Sequence, residues 1–198
     1  MQGLMDMNAE NLVQLITVMS SIFIGVFVML LSFFNQDMKA LFYFAGILIT
    51  FILVMILNRI SFFREETKEG RKLVCDIFKN IITGQGITSP NTNTAFLAFT
   101  AVYFILPMVF LDVYNFPIII FFVTLLLIDS FFALKNLCCG MWGIVTGGIV
   151  GAGMAVGLFY LLYSTLDLRE YLYFGEVISN RVVCASKAQT FKCVARSS

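Results

Sequence analysis

The stretch KALFYFAGILITFILVMIL, residues 39–57, decides the fold. After Lys39 it holds no charged residue, and its apolar run is continuous where a membrane strand would alternate. A hydrocarbon core about 30 Å thick needs roughly 20 residues of helix at about 1.5 Å each. Backbone amides in lipid have no water to bond, so such a segment must be helical. Four further stretches read the same way, at 12–34, 95–111, 116–134 and 141–163, and the one at 95–111 is the shortest, with Pro107 near its end. The expected class is an all-α membrane protein, a bundle of about five transmembrane helices with a short interfacial helix and a small C-terminal tail.

Composition points to the same solvent. The chain has 198 residues, 60% hydrophobic and 13% charged, which lies outside the range of soluble domains. A net charge of +1 argues against nucleic acid as a partner and leaves membrane lipids as the expected surroundings. The sequence contains no histidine, the commonest proton-transfer and metal-binding side chain. A lipid phosphatase built on a histidine nucleophile and base is thereby excluded, and a serine protease needing a histidine is disfavoured. The expectation is a protein that is not an enzyme and uses no cofactor or metal.

The chain divides into an N-terminal segment with a helical hairpin (1–57), a polar connection (58–94), three further spans (95–163) and a polar tail (164–198). The N-terminus carries Asp6 and Glu10 and no Lys or Arg, the reverse of a targeting leader, so the first span is expected to be retained. Connections alternate sides. Arg59, Arg64, Lys68, Arg71, Lys72, Lys79 and Lys135 fall on the side of the N-terminus, against Lys39, Arg169 and Arg181 near span ends on the other. The positive-inside rule then predicts a cytoplasmic N-terminus and a C-terminal tail on the far side.

Within the connection, Leu73, Ile77 and Ile81 recur at i, i+4 and i+8, with Phe78 beside them and Lys72 on the polar flank. That spacing predicts a short helix over 71–82, either lying in the bilayer interface or packed on the protein's own loops. Gly84, Gly86 and Pro90 then break the chain; GQG lacks the residues that complete a nucleotide-binding loop.

The strongest local pattern is GIVTGGIVGAGMAVG in the last span, where Gly143, Gly147, Gly151 and Ala155 fall at successive i+4 positions. Small residues in register let a second helix approach closely in lipid. The partner is expected within the chain, at the first or third span, with contact between subunits of a homo-oligomer as the alternative. Asp129 lies inside the fourth span, six residues before Lys135. It reads as a structural or interfacial acid, or as the polar determinant of a small transporter or pore. Cys75 and the adjacent Cys138 and Cys139 read as packing residues or lipid-modified thiols. Cys184 and Cys193 flank an eight-residue turn between β-prone runs, which suggests a small hairpin closed by a disulfide.

Three fragments taken together, SFFNQDMKALFYFAGILI (32–49), TAFLAFTAVYFILPM (94–108) and VCASKAQTFKC (183–193), resemble a family of multi-span virion membrane proteins of large icosahedral DNA viruses of algae and protists. The likeness runs in order through most of the chain. A fuller form of the last fragment has proline before its Ser-Lys pair and a longer polar end. Ala185 stands before Ser186-Lys187 here, so no role of that longer tail is carried over. The resemblance implies a structural protein of the internal membrane beneath a capsid, with capsid or other virion membrane proteins as partners.

Overall fold

A computed structural model describes residues 9–35, 38–60, 89–110, 112 and 114–165. These residues form helices α1 (Ala9–Asn35), α2 (Lys39–Leu57), α3 (Thr92–Phe110), α4 (Phe116–Lys135) and α5 (Met141–Ser164), with no strand among them. The molecule is an all-α membrane bundle. Helices α2 to α5 are each long and apolar enough to cross a bilayer. Helix α1, at 27 residues, contains the expected span at 12–34, which holds no charged residue. Glu10, Asn11 and Gln14 dilute its first turns.

The other helix limits lie within three residues of the expected spans, and local chemistry explains the shifts. Helix α3 begins earlier, at Thr92, because the Asn91 side chain caps it: Asn93 N–H donates to Asn91 Oδ1 at 3.2 Å. Pro107 does not end α3, which continues to Phe110. At the α1–α2 turn, Ala40 N–H donates to Ser32 Oγ at 3.1 Å. A hydroxyl of one helix thus satisfies an orphan amide at the start of the next.

Helix α3 is the centre of the bundle. A little over half of its apolar window is buried inside the protein, against under a third for α2, α4 and α5. Those helices turn Leu48, Ile52, Ile120, Leu127, Phe131 and Ile149 outward. In lipid these side chains are already in their solvent, so they need no partner.

Around α3 the core is aromatic. Tyr43 of α2 is fully buried against Phe99 and Tyr103, with ring centroids 6.0 and 5.5 Å away. Its phenol pairs with Thr100 Oγ1 at 2.8 Å. The Thr100 hydroxyl also contacts its own helix at Phe96 O, 2.8 Å away, and donates there, so the phenol is the donor to Thr100. Gly46, one turn along α2, opens space for this packing, since a Cβ there would lie 2.7 Å from Leu158 Cδ2 and would also strike the Phe99 ring. At the other end of α3, Phe110 packs on Phe159 at 4.8 Å and on Tyr163 at 5.6 Å.

Burial and hydrogen bonding at Tyr43 separate in a simple test. Tyr43→Phe removes only the Thr100 bond and is expected to cost about 0.6 kcal/mol, the mean for such bonds between membrane helices. Tyr43→Ala empties the aromatic site and should cost about 3–5 kcal/mol. Unfolding in mixed detergent micelles measures both.

Candidate functional site

Of the residues singled out by sequence, Asp129, Cys139, Gly143 and Gly147 gather at one end of the bundle. There α3 and α5 begin, α2 and α4 finish, and the connection between α2 and α3 leaves and returns.

Helices α3 and α5 run parallel and make the most extensive helix contact in the molecule. Gly143, Gly147, Gly151 and Ala155 are all buried. A Cβ at Gly147 would lie 2.6 Å from Asn91 O, and one at Gly151 would overlap the carbonyl of Ala95. The α5 glycine face is therefore pressed on the α3 backbone, and Ala155 joins the core cluster with Phe99 and Tyr103. Of the two partners left open by the sequence, the third span of the same chain occupies this face. The approach is close enough for a backbone bond between helix ends, from Asn91 N–H to Gly143 O at 2.9 Å.

Asn91 is the residue that sequence reasoning missed. Besides that bond, its Oδ1 caps α3, its Nδ2 donates to Cys139 Sγ at 3.3 Å, and its carbonyl accepts from Ala95 N–H at 3.0 Å. One side chain and its backbone thereby fasten α3, α5 and the α4–α5 turn. The available signal was Asn-Thr-Asn directly before an apolar run, a helix-start pattern. Beside it, Ser89 Oγ lies 3.2 Å from Thr146 Oγ1, and the Thr146 hydroxyl is 2.7 Å from Trp142 O. Thr146 donates back to its own helix, which leaves Ser89 as the donor between the two hydroxyls.

Asp129 belongs to this end as well. It is 4% exposed, and its two oxygens accept from different side chains of the first turn of α3. Asn93 Nδ2 donates to Oδ1, and Thr94 Oγ1 donates to Oδ2 at 2.8 Å. A carboxyl facing a helix start also meets the positive end of that helix's dipole. This explains how an acid is tolerated inside a membrane helix: it clasps α4 to α3 near the bundle's end. Asn58, at the end of α2, is 5% exposed, and its Oδ1 accepts no hydrogen bond among the described residues.

The two adjacent cysteines have different fates. Cys139 is buried with its sulfur against Asn91, a packing role. Cys138 is half-buried at the same turn, its backbone N–H donating to Ala133 O at 2.9 Å. Among the described residues no three His, Cys, Asp or Glu side chains are grouped to hold a metal ion. The interfacial-helix residues Lys72, Leu73, Ile77, Phe78 and Ile81, the GQG turn, and the Cys184–Cys193 hairpin lie outside the described residues.

Two sets of variants test this geometry. Gly151→Ala drives a methyl into the Ala95 carbonyl and is expected to cost about 1–3 kcal/mol. Gly153→Ala, two residues along the same helix, meets nothing within 4 Å and should be neutral or stabilising by up to about 1 kcal/mol. Asp129→Ala removes the acceptor of the half-buried Asn93 amide and of the buried Thr94 hydroxyl and should cost about 1–3 kcal/mol. A double-mutant cycle with Asn93→Ala should show coupling of about 0.5 kcal/mol or more, read from the same unfolding assay. Comparison with protein-family models, with curated proteins and with solved structures gives no match for this chain.

Proposed function

We propose that the protein is a structural component of a membrane, a lipid-embedded bundle that presents its polar connection (58–94) and its tail to neighbouring proteins. The observation that carries this reading is the engagement of both Asp129 oxygens by the first turn of α3. The one acid buried within a spanning helix among the described residues is thus committed to holding helices together. The polar groups around it do similar work, bonding α3 to α5 and to the α4–α5 turn through Asn91, Ser89 and Thr146.

The finer form of the proposal rests on the resemblance of the three sequence fragments to virion membrane proteins. In that form the protein sits in the internal membrane of a large DNA virus and links bilayer to capsid or to other membrane proteins. The basic residues of the connection support a cytoplasmic position for that end in this reading, with the tail opposite. The alternative, a small transporter or pore, draws on one observation: a carboxyl at 4% exposure within a spanning helix is the usual mark of an ion or proton path.

Two measurements divide these readings. The structural protein is expected to co-purify with intact particles in fixed, high proportion, and its absence from particles would contradict the virion assignment. Reconstituted vesicles should show no proton or cation flux above protein-free controls, with wild type and Asp129→Asn alike. Flux that Asp129→Asn abolishes would establish the transporter instead.

A further inference from the structure

The outer surface of the bundle changes character along its length, and the spacing of the changes defines the bilayer it fits. On α5, Trp142 near one end and Tyr160 near the other are both exposed. No charged residue lies between them, and Val145 and Ile149 face outward there. Such amphipathic rings settle at the headgroup level, where the apolar body meets lipid and the polar group meets water. The two residues are 18 positions apart. At a rise of about 1.5 Å per residue their separation is roughly 27 Å. Both side chains lean toward the start of the helix, so leaning leaves that separation unchanged.

The other lipid-facing helices repeat the distance. Exposed Tyr114 precedes α4 and exposed Lys135 ends it; the helix has 20 residues, about 30 Å. Lys39 opens α2 and exposed Arg59 follows it, around a helix of 19 residues, about 29 Å. These markers also lie in register. The Tyr160 ring packs on Phe110, the last residue of α3, with centroids 5.9 Å apart, just before the turn that carries Tyr114. At the polar end, only the short α4–α5 turn separates Lys135 from Trp142.

This band cannot be stretched. A tilted helix covers less of the membrane normal, so roughly 27–30 Å is an upper limit. The helices cannot slide apart to lengthen it either, because Gly147 and Gly151 seat α5 on the α3 backbone and Asn91 N–H bonds Gly143 O.

We propose that this surface fits a thin bilayer, with a hydrocarbon core of about 27–30 Å, and not a sterol- and sphingolipid-rich bilayer of about 32–33 Å. In the thicker membrane, acyl chains must compress around the bundle, or Arg59, Lys135 and Trp142 are drawn toward hydrocarbon. The inference rests on the membrane-spanning bundle itself and not on the structural role proposed above.

The test uses the full-length protein in phosphatidylcholine vesicles of graded acyl-chain length, with cores from about 20 to about 37 Å. Trp142 is the single tryptophan, so its fluorescence reports on lipid at one defined point of the surface. Each lipid is mixed with a dibrominated phosphatidylcholine, whose bromines quench tryptophan, and recovery of fluorescence measures how well that lipid competes for the protein. Competition is expected to peak at a core of about 25–30 Å and to be about twofold weaker, or more, from about 33 Å upward. Competition that keeps rising into the thickest bilayers, or that is equal in all of them, overturns the proposal. Fluorescence that the brominated lipid never quenches overturns it together with the membrane-spanning bundle, whereas the structural role is judged separately by the particle and flux measurements.

Discussion

The close approach of α3 and α5 is the constraint on which the rest of this structure depends. Between helices already in lipid the hydrophobic effect contributes little, and association rests on dispersion and hydrogen bonding at short range. Gly147 and Gly151 bring the α5 backbone against the carbonyls of Asn91 and Ala95. Only at that separation can Asn91 N–H reach Gly143 O and the Asn91 amide reach Cys139. A larger side chain on this face would push the helix ends apart and break the directional contacts along with the packing.

Buried polar groups are costly in such a setting unless they are paired. Asp129, Asn93, Thr94, Ser89, Asn91 and Thr146 meet that condition together, because the start of α3 lies between α4 and α5. The positions also matter. These groups lie in the first turns of α3 and α5 and late in α4, where the surroundings approach water and a helix start favours a carboxyl. An acid at mid-membrane would have neither advantage. Asn58 stands apart, with a buried oxygen that none of the described residues satisfies.

Much of this architecture is legible in the sequence, and what is not shares a common cause. The helices follow from uninterrupted apolar runs, and the glycine face from a four-residue spacing that puts its members on one side of α5. Both are properties of a single segment. The Tyr43–Thr100 bond joins residues 57 apart, and the Asp129 pairs join residues 35 and 36 apart. Such contacts depend on which helices are neighbours and in what register, and no periodicity encodes that. Gly46 was silent for a related reason: a lone glycine in α2 makes no pattern, although the Phe99 and Leu158 side chains fill the space it leaves. Asn91 could have been found as a helix cap, but its bonds to α5 and to Cys139 arise from tertiary placement alone. Cys138 and Cys139 look equivalent as letters. On a turn, however, successive side chains take different directions, and Cys139 is buried against Asn91 while Cys138 is only half-buried.

The two ends of the bundle are chemically unlike, and the difference bears on what each can support. At the far end Phe110, Phe159 and Tyr163 pack by ring contact, which tolerates sliding and reorientation because it has little directional demand. At the polar end, hydrogen bonds of defined donor and acceptor set the relative positions of α3, α4 and α5. That rigid end is also where the longest polar connection leaves α2 and enters α3. A segment that must meet a partner in a fixed orientation gains from exits that do not move, since less freedom is then lost on association. Directional bonding where the chain leaves α2 and enters α3 holds those two points in register, and a transport path at the same place would require the Asp129 contacts to open during each cycle.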